Sequence, residues 1–150
     1  MSQPYTGLHF HIVFTTKNRA LTLTDDLAPV VRRELSDSIT MLDGALIACG
    51  GMPDHLHLLV HLGPSTCLAR FVEAIKGSSA WRANSTLTGE RVFEWQEGYL
   101  AFIVCGQDVG LVAKGILQQE ERHTWMSYQE EMLRLRKQDL RCVDARAGEM

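Results

Sequence analysis

Alternation of hydrophobic and polar positions predicts four strands in this 150-residue chain. The clearest alternation covers residues 55–62. Because successive side chains of a strand point to opposite faces, one face of this strand carries four aliphatic residues, and the other carries three histidines and Leu59. The connection 50–54 contains Gly, Pro and Asp, and it predicts an antiparallel hairpin with a strand at 45–49. Two further strands are predicted at residues 8–16 and 99–105.

Hydrophobic residues at helical spacing predict helices at 25–41, 65–81 and 109–125. Thr24 is the predicted N-cap of the first helix. Ser127 is predicted to begin a fourth helix, with Glu130 in the position that completes a capping box. Residues 82–98 show no periodicity, which predicts a long loop. The order β-α-β-β-α-β followed by two helices predicts an α+β fold with a ferredoxin-like antiparallel sheet and added C-terminal helices.

Composition favours a globular chain, since 45% of the residues are hydrophobic and 22% are charged. We expect one domain over residues 1–150, with loose polar ends at 1–7 and from about 139. No apolar run is long enough to span a bilayer, and no leader pattern begins the sequence, so we expect a cytoplasmic protein without membrane contact. The formal net charge of −3 argues mildly against a broad electrostatic contact with nucleic acid, but it allows a local basic patch. The four cysteines form no Cys-x-x-Cys pair and are expected to be free thiols.

Two histidines on one strand face, His55 and His57, can converge on a single ion. The alternative is that both are half-exposed on an open sheet face, as a second pair, His9 and His11, would be. In a ferredoxin-like sheet the first and third strands are neighbours, so His11 could approach the central pair.

A third ligand is offered by the third predicted helix, where residues 115, 119 and 123 follow a helical spacing of four. Gln119 would supply a carbonyl oxygen, which suits Mg²⁺ or Mn²⁺. The alternative is a solvated polar stripe.

Basic and aromatic residues are scattered over the first two thirds of the chain, and together they could form a rim that contacts phosphates, with tryptophans as stacking platforms. The alternative is an ordinary charged surface. The residues in question are Lys17, Arg19, Arg70, Lys76, Trp81, Arg82, Arg91 and Trp95.

Six segments together resemble one known family, the single-tyrosine HUH transposases, which include the insertion-sequence-200-like and REP-associated tyrosine transposases. The segments are HIVFTTKNR (11–19), MPDHLHLLV (52–60), FVEAIKG (71–77), WQEGY (95–99), QEERH (119–123) and SYQEE (127–131). The resemblance implies a dimeric ferredoxin-like protein that acts on hairpin-bearing single-stranded DNA. It implies that His55, His57 and Gln119 bind a divalent metal, Mg²⁺ or Mn²⁺. From the candidate rim described above, Lys17, Arg19, Lys76, Arg82 and Trp95 are the predicted DNA contacts.

The chain departs from the family at the expected nucleophile. That tyrosine should lie four residues before Gln119, and the position holds Gly115, which has no side chain for the attack. Tyr128 is a substitute candidate, although its position near a helix cap suits a packing role. Three functions therefore remain open: a DNA-cleaving transposase, a non-catalytic binder of DNA hairpins, and a metal-binding domain without a nucleic-acid role.

Overall fold

A four-stranded antiparallel sheet with the strand order β2-β3-β1-β4 forms the centre of the first part of the chain. The strands are β1 (His9–Thr15), β2 (Ala45–Met52), β3 (His55–His61) and β4 (Leu100–Val104). The computed structural model describes the backbone of residues 4–148 and the side chains of residues 4–139. The sheet and the helices that accompany it confirm the predicted ferredoxin-like α+β fold.

Two compact units divide the chain, one ending at Leu117 and the other beginning at Gln118. In the described part of the first unit, the sheet is accompanied by three α-helices, α1 (Ala28–Met41), α2 (Leu68–Thr86) and α3 (Val109–Leu117), and by two short 3-10 helices, Lys17–Arg19 and Gly106–Asp108. The second contains α4 (Gln119–Arg122) and α5 (Tyr128–Gly148). The single domain expected over residues 1–150 stays a prediction.

The sheet of the first unit has two different faces. The aliphatic face of β3 packs in the main hydrophobic core with α1 and α2, as the alternation predicts. The opposite face holds a smaller cluster in which Leu59 packs with Ala48, Val104 and Ile116 of α3. This second face also carries the histidines of β1 and β3, because directly paired residues share a face.

Strand β2 is longer than predicted, since it continues through both glycines to Met52. The predicted connection 50–54 therefore shortens to Pro53 and Asp54. Both positions require glycine, since a Cβ on Gly50 would lie 2.1 Å from the carbonyl oxygen of Ile116, and one on Gly51 would lie 2.3 Å from that of His55. Glycine here permits close backbone packing within a strand rather than a turn.

The bounds of the first two helices also differ from the prediction. Helix α1 begins at Ala28 rather than directly after Thr24, whose carbonyl oxygen accepts hydrogen bonds from the amides of Leu27 and Ala28. Pro29 fits this first turn because its missing amide would have no partner there. Helix α2 ends at Thr86, so the predicted loop 82–98 loses its first five residues to the helix. Burial of Ala83 in the core stabilises this extension.

The predicted helix 109–125 is interrupted at Gln118, which has φ −104° and ψ 27° and separates α3 from α4. Gly115 weakens the last turn of α3, because glycine lowers helix propensity. Residues 115, 119 and 123 thus do not share one continuous helix.

Helix α5 begins as predicted with a capping box. The amide of Glu130 donates to Ser127 Oγ over 3.2 Å, and the amide of Ser127 donates to Glu130 Oε2 over 2.9 Å. Helix α5 continues to Gly148, in a segment rich in helix-forming residues. The loose end expected from about 139 stays a prediction. Of the expected loose start, residues 4–7 have no regular secondary structure, and residues 1–3 and 149–150 lie outside the described part. None of the described helices is both long and apolar enough to cross a membrane.

Candidate metal centre

His55 and His57 lie side by side on the second face of the sheet, and each is only 1% exposed. Their ring centroids are 5.2 Å apart, and a ring nitrogen of one lies within 4.8 Å of a ring nitrogen of the other. The interpretation of both as half-exposed residues on an open sheet is therefore wrong. Strand β3 places two nitrogen donors close enough to face one ion.

Asp54, in the hairpin turn, holds His55. His55 Nδ1 donates to Asp54 Oδ1 over 2.8 Å, and the other carboxylate oxygen accepts from Arg19 Nη2 over 3.0 Å. Partial burial on its own raises the pKa of Asp54, but hydrogen bonds and positive charge from His55 and Arg19 outweigh it and hold that pKa below its ordinary value. Asp54 is therefore a carboxylate that orients His55.

His57 contacts a third histidine, His11 of β1. His11 Nε2 and His57 Nδ1 are 2.9 Å apart, and their ring centroids are 5.1 Å apart. His11 pairs with Leu59 and thus lies diagonally opposite His57, which explains the contact. The prediction that His11 approaches the central pair is confirmed.

A second histidine pair lies at the other end of the same strands. His9 pairs directly with His61, and their ring centroids are 5.1 Å apart. His61 Nε2 is bonded to the carbonyl oxygen of Thr6 over 2.9 Å. Both residues are half-buried. This pair offers a natural comparison with the buried one.

Helix α3 packs on the second face beside the buried histidines. Ile116 is buried against Leu59, and its carbonyl lies against Gly50, which is the sheet partner of His57. Gly115 directly precedes Ile116 and is half-buried. The position expected to hold the nucleophile therefore lies in a helix that is fixed against the histidine-bearing sheet.

Within the second unit, Gln119 belongs to a buried polar cluster. Its Nε2 donates to Glu131 Oε2 over 3.3 Å, and its Oε1 is 3.0 Å from His123 Nε2. Gln119 and Glu131 are 2% and 1% exposed. Both offer oxygen atoms of the kind that Mg²⁺ and Mn²⁺ prefer. Tyr128, the substitute nucleophile candidate, is the first residue of α5 and is half-buried.

Sequence reasoning missed the role of Asp54 and the presence of Glu131 in this cluster. In the sequence, Asp54 is recognisable only as a residue of the turn, and nothing indicates that it binds His55. Glu131 is twelve positions from Gln119 in the sequence, and no local spacing connects the two. Glutamate is rarely buried without partners. The polar residues around Glu131 in the sequence give no sign that it is buried.

Three of the predicted DNA-contacting residues line one cleft of about 610 Å³ between α2 and the segment before β4: Lys17, Lys76 and Trp95. Lys76 Nζ donates to the carbonyl oxygens of Gln96 and Gly98 over 2.6 and 2.9 Å. Desolvation lowers the pKa of Lys76, with an opposing contribution from the charge of Glu97. Trp95 packs edge-on against Phe14 and Phe93, so it is chiefly a wall of this cleft.

The remaining two predicted DNA contacts lie elsewhere and have acidic partners. Arg19 is bonded to Asp54, as described above, and Arg82 Nε is 3.4 Å from Glu34 Oε2 of α1. Arg82 also stacks near the exposed ring of Trp81, at 5.7 Å from its centroid. The five residues therefore do not form a single basic surface.

The sheet order and the paired histidines of β3 are the features that the sequence resemblance to single-tyrosine HUH transposases leads us to expect. Residues 4–119 match the family model of IS200-like transposases, so the chain belongs to the IS200-like transposase family. Among its relatives, the ISDra2 transposase TnpA of Deinococcus radiodurans is 33% identical over 75 residues, which are 50% of this chain and 54% of the relative. The chain therefore matches only about half the length of this relative.

Two solved structures are similar. One is a protein of Deinococcus radiodurans R1 assigned as a transposase, with 28% identity, a TM-score of 0.63, and coverage of 77% of this chain and 94% of the other. The second is a REP-associated tyrosine transposase bound to a REP hairpin, with 16% identity, a TM-score of 0.62, and coverage of 84% and 76%. At that identity the second structure supports the fold alone.

Proposed function

We propose that this chain is a DNA-binding member of the IS200-like transposases that keeps the metal centre of the family and has lost tyrosine chemistry at position 115. Its substrate class is hairpin-bearing single-stranded DNA. The observation that carries this proposal is the buried pair His55 and His57, both held at Nδ1 by side-chain partners. Metal-dependent DNA cleavage and strand transfer are then the ancestral activity of the family. A homodimer and a cytoplasmic location are part of the same proposal.

The donor set fits a divalent ion. By resemblance to the family, His55 and His57 would supply nitrogen ligands, and Gln119 would supply the oxygen ligand. Glu131, which is bonded to Gln119 within the second unit, is the alternative oxygen ligand. A bound Mg²⁺ or Mn²⁺ supplies positive charge that polarises a DNA phosphate and stabilises its developing negative charge. The protein's own contribution is to hold the imidazoles in place and exclude water around them, since both are nearly fully buried.

The loss of the nucleophile is supported by Gly115 itself. No side chain at this position can attack a phosphodiester, and glycine brings no stability to a helix. A protein with this residue can still bind DNA through phosphate contacts and metal-assisted recognition. Lys17 and Lys76, which line one cleft, are the proposed contacts of the DNA backbone.

The experiment uses the full chain, its Gly115→Tyr variant and a matched Gly110→Tyr variant. Gly110 lies in the same helix, and a Cβ added there would meet nothing within 4 Å. Each protein is incubated with fluorescent hairpin-bearing single-stranded DNA, with and without Mn²⁺. Binding is measured by fluorescence anisotropy, and covalent adducts are detected on denaturing gels.

We expect all three proteins to bind the DNA and only Gly115→Tyr to form an adduct, in a reaction that requires Mn²⁺. An adduct with the unchanged chain would contradict the loss of activity, and its disappearance in Tyr128→Phe would then identify the substitute nucleophile. Absence of DNA binding by all three would contradict the nucleic-acid role and leave a metal-binding domain.

The oxygen ligand is tested separately by Mn²⁺ titration calorimetry. Gln119→Leu removes the amide oxygen at similar volume, and Glu131→Gln removes the carboxylate charge. We expect the variant that loses the true ligand to bind Mn²⁺ about 10–100-fold more weakly. Unchanged affinity in both variants would contradict a ligand from this cluster.

A further inference from the structure

We propose that His11 and Asp54 are positioning residues of the metal centre: each engages Nδ1 of one of the two motif histidines, His55 and His57, so that both present Nε2 to the same ion. This inference rests on the metal site proposed above. The two hydrogen bonds are similar in length, 2.8 Å for Asp54 with His55 and 2.9 Å for His11 with His57. They differ in chemistry, because one partner is a carboxylate and the other is an imidazole.

The Asp54 contact leaves no choice of tautomer. An ionised carboxylate only accepts hydrogen bonds, so Nδ1 of His55 must carry the proton, and the lone pair of the neutral ring lies on Nε2. The carboxylate thereby fixes both the rotation of the ring and the nitrogen that can bind a cation.

Arg19 holds this carboxylate in turn, with Nη2 at 3.0 Å and Nε at 3.3 Å from Oδ2. The backbone there is unusual, since Asn18 and Arg19 have φ of 57° and 53°, in the left-handed region. Asparagine tolerates this region, but arginine adopts it rarely and needs support from its surroundings. Here one compensation is the hydrogen bond from the Asn18 amide to Gln96 Oε1 over 2.9 Å. The strained turn thus directs the guanidinium to Asp54.

The His11 contact permits two arrangements of the proton. If His11 donated, His57 Nδ1 would hold the lone pair, and Nε2 would carry the proton and could not bind a metal. If His57 donates, its Nε2 has the lone pair and His11 acts as an acceptor. Only the second arrangement matches that of His55. A metal centre therefore requires His11 to be the tautomer protonated at Nδ1.

The first measurement needs no substitution. Long-range ¹H–¹⁵N NMR of the metal-free protein distinguishes the histidine tautomers. We expect His55, His57 and His11 all to be protonated at Nδ1. A His57 ring that is protonated at Nε2 would overturn the role assigned to His11, whether or not the protein binds metal.

The second measurement is Mn²⁺ affinity by calorimetry on the full chain and its variants. We expect His11→Leu, which removes the acceptor, to weaken Mn²⁺ binding about 10–100-fold. His11→Gln keeps an acceptor oxygen and should retain most of the affinity, which a purely space-filling role would not explain. The matched control is His9→Leu, two residues earlier on the same face, where the histidine pairs with His61 instead. It should bind Mn²⁺ like the unchanged protein.

The Asp54 contact is tested in the same way, with Asp54→Ala expected to lose affinity and Asp54→Asn to retain part of it. Because Arg19 acts through Asp54, Arg19→Gln should weaken binding on its own and add nothing in the Asp54→Ala background. Additive losses would overturn the coupling between Arg19 and Asp54.

The outcomes separate this inference from the proposed function. If the unchanged protein binds no Mn²⁺, the proposed metal site is wrong, and the NMR tautomers still decide whether His11 and Asp54 fix the rings. If it binds Mn²⁺ and His11→Leu binds equally well while remaining folded, the metal site stands and the positioning role of His11 is wrong. If His11→Leu does not fold, His11→Gln and the tautomers of the unchanged protein decide.

Discussion

The backbone of Gly50 lies so close to α3 that a Cβ at this position would stand 2.1 Å from the carbonyl oxygen of Ile116. Gly50 is also the sheet partner of His57. The closest approach between helix and sheet therefore occurs directly beside one of the motif histidines. This contact determines how near Gly115, the residue before Ile116, comes to the histidine-bearing face.

Gly50→Ala is expected to destabilise the protein by about 1–3 kcal/mol, because the added methyl group meets backbone that cannot rotate away. Urea unfolding followed by circular dichroism measures the change. The matched control is Gly77→Ala inside α2, where an added Cβ meets nothing within 4 Å. That variant should gain about 0.5–1 kcal/mol through helix propensity. Equal stability of Gly50→Ala and the unchanged protein would contradict the close approach.

The sequence was informative where local pattern and tertiary structure agree. Alternation in residues 55–62 predicted both faces of β3, and the Ser127–Glu130 spacing predicted the capping box. The glycines at 50 and 51 favour a turn by local pattern, because glycine is common in turns. Their actual role depends on Ile116, 66 positions away from Gly50 by residue number, and no local pattern contains that information.

For the candidate metal centre too, local sequence pattern predicts neighbours on a strand but not partners that are distant in the sequence. The strand period predicted that His55 and His57 share a face, and strand order predicted the approach of His11. The sequence does not indicate which residues orient and bury the two histidine rings. The positive charge of Arg19 predicts a DNA contact, yet its guanidinium is bonded to Asp54, which is 35 residues away. A basic residue beside a strained turn gives no sequence signal for its partner.

Asn84 joins α2 to the segment that precedes β4. Its Nδ2 donates to the carbonyl oxygen of Phe93 over 2.9 Å, and its Oδ1 accepts from the amide of Phe93 over 2.7 Å. Asn84→Ala should cost about 1–3 kcal/mol, since both backbone groups lose their partner at a buried residue. The tryptophan emission should also change, because Phe93 packs on Trp95.

The neighbouring Ser85→Ala is the control for Asn84→Ala. Ser85 is exposed, and its hydroxyl bonds only locally to the carbonyl oxygen of Arg82. Its substitution should change stability by less than about 0.5 kcal/mol. If the two variants are equally stable in urea unfolding, the link between Asn84 and Phe93 does not hold the segment.

The capping box of α5 sets the local stability of that helix. Ser127→Ala removes the acceptor for the Glu130 amide and should cost about 0.5–2 kcal/mol. Amide hydrogen exchange at residues 128–131 measures the effect, because the first turn opens locally. Ser127→Asp keeps an oxygen acceptor and should preserve the protection. Faster exchange in Ser127→Asp than in Ser127→Ala would contradict the capping role.

Cys49 links stability to pH, since burial raises the pKa of its thiol to about 11, against an opposing contribution from the charge of Arg32. The unfolded thiol has its ordinary pKa of 9.0. Between these two values the folded state binds more protons than the unfolded state. The contribution of Cys49 is therefore complete below pH 9 and is lost as the pH rises toward 11, by at most about 1.4 kcal/mol per pH unit.

Urea unfolding at pH 8, 9 and 10 tests this dependence by comparing the unchanged protein with Cys49→Ala. We expect Cys49→Ala to show a shallower loss of stability above pH 9, because the buried thiol that must ionise on unfolding is gone. Cys67→Ala is the matched control, since Cys67 is exposed and should leave the slope unchanged. Thiol modification at pH 8 gives an independent readout, in which Cys67 and Cys105 react quickly and Cys49 is protected. Parallel pH profiles for the two alanine variants would show that Cys49 ionises as readily in the folded state as in the unfolded state.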